Sequence, residues 1–165
     1  MIETERLLLL PLGVGDVEAF VALHADDRVN RFVGAYSHQQ ALERLRLIDR
    51  QWTERGHGLC AIELKDGGDF IGRAGLNYWQ PFDEVELGWT LKAEAWGRGY
   101  ATEAARACLE WGFGTLDADY FTAMIHPENT ASARVAGRLG FTPLREDVLL
   151  GNPVAVYSLD RPSSA

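Results

Sequence analysis

Cysteine is scarce in this sequence of 165 residues, and so are basic residues and long apolar runs. The two cysteines, Cys60 and Cys108, stand far apart and form no CxxC pair. Disulfide frameworks and cysteine-based metal sites need several cysteines at short spacings, so we expect two buried, reduced thiols instead. The four histidines also lack zinc-ligand spacing, and no metal site is predicted.

Positive charge is in deficit, because 16 lysines and arginines stand against 24 acidic residues and give a net charge of −8. Nucleic-acid binding needs a concentrated basic face, which argues against nucleic acid as a main ligand. No stretch approaches the roughly 18 apolar residues of a membrane-spanning helix, and Met1 leads into charged residues rather than a signal peptide. We therefore expect a cytoplasmic protein with no membrane partner.

Hydrophobic residues make up 47% of the chain, which is enough for one buried core. Because no repeat or linker interrupts residues 1–161, we expect them to form a single domain, with a flexible end at 162–165. The sequence predicts two helices, one at 17–25 and one that begins at the capping-box pair Ser37 and Gln40 and ends at Gly56. It also predicts four strands, at 6–10, 59–64, 70–79 and 84–91, of which the second and third form a hairpin.

The sequence WGRGYATEA (96–104) places two glycines directly before a helix that we predict from Thr102 to about Leu116. A glycine-rich loop at a helix N-terminus leaves amide N–H groups free and can bind phosphate, although a tight turn alone also explains the glycines. A dinucleotide fingerprint would need a third glycine at Thr102, and no GK[ST] of a P-loop occurs. The predicted helix presents small residues on one face, so it can lie close against a sheet; these are Ala101, Ala105, Cys108, Gly112 and Leu116.

Three segments together resemble the GNAT N-acetyltransferases, a likeness that covers nearly the whole chain. They are EVELGWTLKAEAWGRGYATEA (84–104), HPENTASARVAGRLGF (126–141) and TERLLLLPL (4–12), the last being similar to the start of the RimJ/RimL-type enzymes that acetylate ribosomal-protein N-termini. The resemblance implies an α/β (α+β) fold with a mixed, mostly antiparallel sheet of six or seven strands and helices on both faces. The fourth and fifth strands would splay apart to admit acetyl-CoA.

The resemblance also implies the residues that contact acetyl-CoA. The pyrophosphate would lie on the backbone amides of the glycine loop, the pantetheine arm would pair with the strand edge at Trp89 to Leu91, and Asn129 would contact the cofactor. Trp96 departs from the Gln or Arg usual at the first position of the family's loop pattern, which puts only a side-chain contact in doubt. The loop residues concerned are Gly97, Arg98, Gly99, Tyr100, Ala101 and Thr102.

Transfer of an acetyl group to an amine needs a base, because the amine must lose its proton before or during the attack. Glu86 is the first candidate, because the resembling enzymes often carry a glutamate in this strand. Glu84 has the same strand parity and is the alternative, and a purely structural hydrogen bond is a third interpretation of Glu86. A backbone N–H at 89–91 would stabilise the thioester oxygen.

The departing thiolate also needs a proton. The tyrosine that many of these enzymes use is replaced here by Ala136, and the RimJ/RimL-like branch implies Ser132 as the substitute. Asn129 and Ser132 also fit a plain helix start, so a capping role remains open for both.

Three functions remain open for the predicted acyl-CoA site. The first is acetylation of a protein α-amino group, the second acetylation of a small amine such as an aminoglycoside, polyamine or amino acid derivative, and the third a non-catalytic acyl-CoA-binding module. We expect the acceptor site in the segment 17–55 and the loops at 77–84 and 145–153, where Asp26–Asp27 and Asp83–Glu84 are candidate contacts for a cation. The oligomeric state, a homodimer included, is left open.

Overall fold

The structure is a computed structural model, and it describes residues 1–163. Residues 164–165, part of the end for which we predict flexibility, lie outside the described residues. The strands are Ile2–Glu3 (β1), Leu7–Pro11 (β2), Leu59–Leu64 (β3), Phe70–Trp79 (β4), Glu84–Leu91 (β5), Tyr120–Ile125 (β6), Thr142–Leu149 (β7) and Asn152–Asp160 (β8). The α-helices are Val17–Ala25 (α1), Asp27–Val33 (α2), His38–Arg55 (α3), Tyr100–Thr115 (α4) and Thr130–Leu139 (α5).

The eight strands of residues 1–163 form one sheet in the order β1-β2-β3-β4-β5-β6-β8-β7. All neighbouring strands are antiparallel except β5 and β6, which are parallel. This confirms the predicted mixed, mostly antiparallel sheet. It has eight strands rather than six or seven because β1, with only two residues, is too short to show a pattern in the sequence.

The sheet opens between β5 and β6, the predicted fourth and fifth strands. Only Glu86 and Thr122 are paired across these two strands, whereas β5 is paired with β4 along its whole length. Beyond this one pair, the edge of β5 that faces β6 has no strand partner among the described residues. The splayed sheet expected from the resemblance is therefore present, and it diverges at Glu86.

The bounds of α3 are set by capping residues that the sequence predicts. Ser37 Oγ accepts a hydrogen bond from the Gln40 amide, and Gln40 Oε1 accepts one from the Ser37 amide, which completes the predicted capping box. The helix ends at Gly56, whose φ of 75° is the left-handed conformation that glycine adopts without strain. The pattern did not indicate α2, which begins after Asp26, whose carboxylate caps it.

The predicted loop at 145–153 is wrong, because most of it belongs to the hairpin of β7 and β8. Only Leu150 and Gly151 form the turn between these strands. The sequence pattern did not indicate this strand because it contains three successive charged residues, Arg145, Glu146 and Asp147. These residues are accommodated because β7 is an edge strand of the sheet.

Two apolar layers cover the two faces of the sheet. Leu12, Phe20 and Leu45 belong to the layer beneath α1 and α3, and the larger layer lies beneath α4. A Cβ at Gly112 would lie 2.5 Å from Leu76 Cδ1, so α4 touches the sheet where its face is smallest, as predicted. Within residues 1–163, no helix combines the length and apolar character needed to cross a membrane.

Candidate active site

A cavity of about 700 Å³ lies between the end of β5, the start of α4 and the start of α5. Arg98 and Glu86 do not line it. Arg98 instead offers its carbonyl to Arg6 Nη1, at 3.0 Å, and Glu86 lies further back along β5. The other predicted site residues all line the cavity: Trp89, Leu91, Gly97, Gly99, Tyr100, Ala101, Thr102, Asn129 and Ser132.

The glycine loop has the geometry of an anion site. Gly97 and Gly99 have φ angles of 74° and 81°, and a Cβ at Gly97 would meet nothing within 4 Å, so backbone conformation alone requires glycine there. None of the backbone amides from Gly97 to Thr102 donates a hydrogen bond to a partner within residues 1–163. These free N–H groups, together with the dipole of α4, favour a negatively charged ligand.

The N-terminal segment of the chain fixes this loop through Glu103. The Glu103 carboxylate accepts hydrogen bonds from Thr4 Oγ1 at 2.6 Å, from the Arg6 amide at 3.0 Å and from Arg6 Nε at 2.7 Å. The Arg6 guanidinium also lies over the Tyr100 ring, 4.3 Å from its centroid. We did not predict this contact, because its partners lie almost a hundred residues apart, although both belong to segments that carry the resemblance.

Trp96 ties the loop to the end of β5. Its indole Nε1 donates to the Leu91 carbonyl at 3.0 Å, although half of the side chain is exposed. The hydrogen bond gives the tryptophan at this position a structural role. The Leu91 carbonyl consequently has a partner already. Thr90 directs its backbone groups towards Arg73 of β4, so the edge left for an incoming amide group is that of Trp89.

Asn129 caps α5, because its Oδ1 accepts a hydrogen bond from the Ser132 amide at 3.2 Å. Asn129 therefore has the capping role through its Oδ1 atom. Its Nδ2 group donates no hydrogen bond to any of the described residues. Three arginines with no salt bridge in residues 1–163 line the same cavity: Arg31, Arg134 and Arg138. The cavity therefore pairs free amides with basic side chains, as a phosphate-bearing ligand requires.

Glu86 lies at the point where the sheet opens. Its Oε1 accepts a hydrogen bond from Trp79 Nε1 at 2.7 Å, and its Oε2 accepts one from the Met124 amide at 3.3 Å. Met124 lies on β6, two residues beyond Thr122, where β5 and β6 are no longer paired. Its amide N–H therefore donates to the Glu86 carboxylate instead of to a carbonyl of β5. Burial raises the pKa of Glu86, and the two hydrogen bonds offset this only in part.

Glu84 has a different environment on the same strand. Arg145 Nη2 and Nη1 donate to its carboxylate at 2.5 and 3.1 Å, and Tyr120 Oη donates at 2.8 Å. These bonds, that from Arg145 above all, lower the pKa of Glu84. A carboxylate so engaged is a weak base, and the geometry favours Glu86.

The acidic pairs expected to meet a cation are also largely engaged. Asp26 bonds Arg28 at 2.6 Å and caps α2, while Asp83 accepts from Tyr78 Oη at 2.8 Å. The two cysteines are buried, as predicted. Burial raises the pKa of Cys60 to about 12 and also that of Cys108, so neither thiol is a nucleophile at neutral pH.

The acetyltransferase (GNAT) domain family matches residues 6–142. The chain belongs to the GNAT acetyltransferase family. Among curated relatives, Bacillus subtilis YkkB is 38% identical over 65% of this chain and 64% of its own length, so the match spans less than two thirds of that protein. The uncharacterized N-acetyltransferase YoaA of Bacillus subtilis is 29% identical over 98% of this chain and 97% of its own.

Solved structures share the GNAT fold along almost the whole chain. An acetyltransferase from Agrobacterium tumefaciens is 36% identical with a TM-score of 0.84, covering 96% of this chain and 92% of its own. An enzyme from Salmonella typhimurium that modifies the N-terminal serine of ribosomal protein L7/L12 is 17% identical with a TM-score of 0.80, over 95% and 96% of the two chains. The second likeness shows the fold alone.

Proposed function

We propose that this GNAT enzyme transfers the acetyl group of acetyl-CoA to the α-amino group of a peptide or protein N-terminus. The observation that carries the proposal is Glu86, a half-buried carboxylate with a raised pKa, placed where the sheet opens and on the strand that leads to the glycine loop. Residues 1–161 act in this proposal as one acetyltransferase domain, and we expect it to work in the cytoplasm.

The free amides of the glycine loop would hold the pyrophosphate of acetyl-CoA, with Asn129 Nδ2 as a further contact. The β5 edge at Trp89 would pair with the pantetheine amides, as an unpaired strand does with an added one. The bound cofactor supplies the acetyl group as an activated thioester.

Glu86 would accept the proton that the amine loses as its nitrogen attacks the thioester carbonyl. A raised pKa brings a carboxylate closer to the pKa of the amine and makes it a better base near neutrality. An α-amino group, with a pKa near 8, is roughly a quarter neutral at pH 7.5, whereas a lysine side chain is only about 0.1% neutral. This difference favours an α-amino acceptor.

Ser132 would donate the proton that the departing thiolate of coenzyme A takes up, and solvent water would then reprotonate Ser132 and take the proton held by Glu86. Its amide already serves the Asn129 cap, which fixes the first turn of α5 and with it the position of the hydroxyl. Because both cysteine thiols are protonated at neutral pH, direct transfer from thioester to amine is favoured over an acetyl-cysteine intermediate.

The likeness of the TERLLLLPL segment to RimJ/RimL-type enzymes supports a protein N-terminus as the acceptor. A small amine is the second candidate, since a Cβ built at Gly88 would have Glu86 Oε1, at 4.0 Å, as its nearest neighbour, which leaves space for a small group beside the carboxylate. A binding module without catalysis is the third.

Thiol release from acetyl-CoA, measured with a panel of N-terminal peptides and small amines and with wells lacking acceptor, tests the proposal. Turnover of a peptide with a particular first residue would support it. Turnover of small amines alone would replace it with the second function. Acetyl-CoA binding without transfer to any amine would leave the binding module.

A further inference from the structure

Two arginines project towards the face of the sheet that carries Glu86. Arg73 and Asn77 lie on the same face of β4, and Asn77 is the cross-strand partner of Glu86. Arg44 of α3 donates from Nη2 to Asn77 Oδ1 at 3.4 Å, and its guanidinium lies 5.9 Å from the centroid of the Trp79 ring. Trp79 is the residue that bonds Glu86 Oε1, so Arg44 reaches two direct neighbours of the carboxylate.

Neither Arg44 nor Arg73 forms a salt bridge with any residue in the range 1–163. Both are half-buried. A guanidinium removed from water in this way is stable only with a partner that replaces its hydration. Glu86 is a single carboxylate whose oxygens already accept from Trp79 and Met124, so it can balance at most one of the two positive charges.

His24 orients Arg73 without neutralising it. His24 Nδ1 lies 2.9 Å from the Phe20 carbonyl, to which only a protonated Nδ1 can donate. Nε2 then carries the lone pair and accepts from the Arg73 guanidinium at 3.3 and 3.4 Å. The histidine is fully buried and the nearby charge of Arg73 opposes its protonation, so it stays neutral and Arg73 keeps its charge for a ligand.

Gly88 leaves space for that ligand next to Glu86. It follows Glu86 on the same face of β5, and a Cβ built there would have Glu86 Oε1, at 4.0 Å, as its nearest neighbour. This face of β5 is therefore open at Gly88, between Thr90, which lies opposite Arg73, and Glu86, which lies opposite the Asn77 that Arg44 contacts.

We propose that the acceptor amine carries a carboxylate, which Arg44 and Arg73 bind while the amine lies in front of Glu86. The proposal rests on the amine-acetyltransferase function and specifies its substrate class. Guanidinium groups bind carboxylates through paired, charge-assisted hydrogen bonds, and neither arginine has a salt-bridge partner within residues 1–163. The carboxylate comes either from an acidic side chain near a peptide N-terminus or from the α-carboxyl group of a short substrate.

The test compares matched acceptors by kcat/KM for thiol release. C-terminally amidated Ala-Glu-Ala and Ala-Gln-Ala differ only in a side-chain carboxylate, and Ala-Ala and its amide differ only in the terminal one. We expect the acid member of at least one pair to be preferred by about 10-fold or more, as the loss of hydrogen bonds to a charged group implies. The pair that shows the preference identifies the source of the carboxylate.

The variant Arg44→Gln should reduce that preference by about 10-fold. Arg46→Gln, an exposed arginine two residues further along α3 with no salt bridge in the described chain, removes the same charge and should keep the preference. Arg73→Gln provides a second test, and melting temperatures establish that each variant is folded.

Equal rates for the acid and amide members of both pairs, with acetyl transfer intact, would overturn the inference and leave the proposed function standing. Loss of the preference in Arg46→Gln as well as in Arg44→Gln would also overturn it, because the effect would then be one of overall charge. Binding of acetyl-CoA with no transfer to any of the four peptides, nor to any amine of the wider panel, would contradict the proposed function and this inference together.

Discussion

Glu86→Gln separates a catalytic from a structural role for Glu86. Glutamine retains one oxygen for Trp79 Nε1, but its amide group would face the Met124 N–H, donor against donor. Loss of that bond costs about 1–3 kcal/mol. Removal of a charge that burial disfavours acts in the opposite direction, so we expect the melting temperature to change by no more than about 4 °C.

The effect on catalysis should be far larger. General-base catalysis contributes about 10²- to 10⁴-fold, equivalent to roughly 3–5 kcal/mol of transition-state stabilisation. We expect kcat/KM to fall by at least about 10²-fold while acetyl-CoA affinity, measured by calorimetry, is retained. A loss of this size with a nearly unchanged melting temperature cannot come from misfolding.

The pH dependence gives the same experiment a second readout. Because the pKa of Glu86 is raised, the ionised form that accepts a proton is lost as pH falls through a value above that of an ordinary carboxyl group. The same shift means that neutral Glu86 contributes stability below an ordinary carboxyl pKa, and this contribution disappears as pH rises through the raised value. Both proteins should lose kcat/KM below about pH 8 as the acceptor α-amine is protonated. Only wild type should show, at lower pH, the additional acid limb that protonation of Glu86 produces.

Glu84→Gln is the matched control, since it is the same change on the same strand face. It weakens the contact with Arg145 and should lower the melting temperature but leave the acid limb in place. If Glu86→Gln instead keeps wild-type kcat/KM from pH 6 to 9, the assignment of Glu86 as the base is refuted.

Three further predictions concern residues around the site. Ser132→Ala should lose turnover with unchanged acetyl-CoA affinity, and full activity would reject Ser132 as the proton donor. Glu103→Gln should weaken acetyl-CoA binding by about 10-fold in calorimetry, because the bonds from Thr4 and Arg6 hold the glycine loop; a lower melting temperature with unchanged affinity would make the contact purely structural. Burial and the charge of Arg73 lower the pKa of His24 from 6.5 to about 4, so its stabilising contribution is complete above pH 6.5 and is lost as pH falls through 4. In urea unfolding, the stability advantage of wild type over His24→Gln should shrink by about 3 kcal/mol between pH 7 and pH 4, and a constant difference would contradict a neutral His24.

Local patterns predicted much of this fold because their causes lie within a few residues. The Ser37 and Gln40 capping box, the glycine-punctuated hairpin after β3, and the small face of α4 each follow from neighbouring side chains. The strands 59–64, 70–79 and 84–91 have the predicted bounds for the same reason. By contrast, β7 is an edge strand that pairs, among the described residues, only with β8. Three charged residues can be accommodated at such an edge, but the sequence does not show which strand lies at the edge.

In the candidate site, too, the residues whose role depends on local sequence were predicted, and those brought together by the fold were not. The glycine loop and the start of α5 were predicted, because backbone chemistry at a helix N-terminus is local. Arg73 and Arg44 were not, since only the folded sheet and α3 bring them to the face of Glu86. The preference for Glu86 over Glu84 likewise depends on Arg145 and Tyr120, which no spacing rule connects to this strand.

The contact of Thr4 and Arg6 with Glu103 has a consequence for the order of folding. Its hydrogen bonds close a span of 97 to 99 residues, which makes it one of the longest-range contacts in the chain. During synthesis the first residues emerge from the ribosome long before Glu103, and contacts of high sequence separation form slowly. The glycine loop should therefore acquire its final shape only after most of the sheet has assembled. We expect that a nascent chain released before α4 has been synthesised would be unable to bind acetyl-CoA.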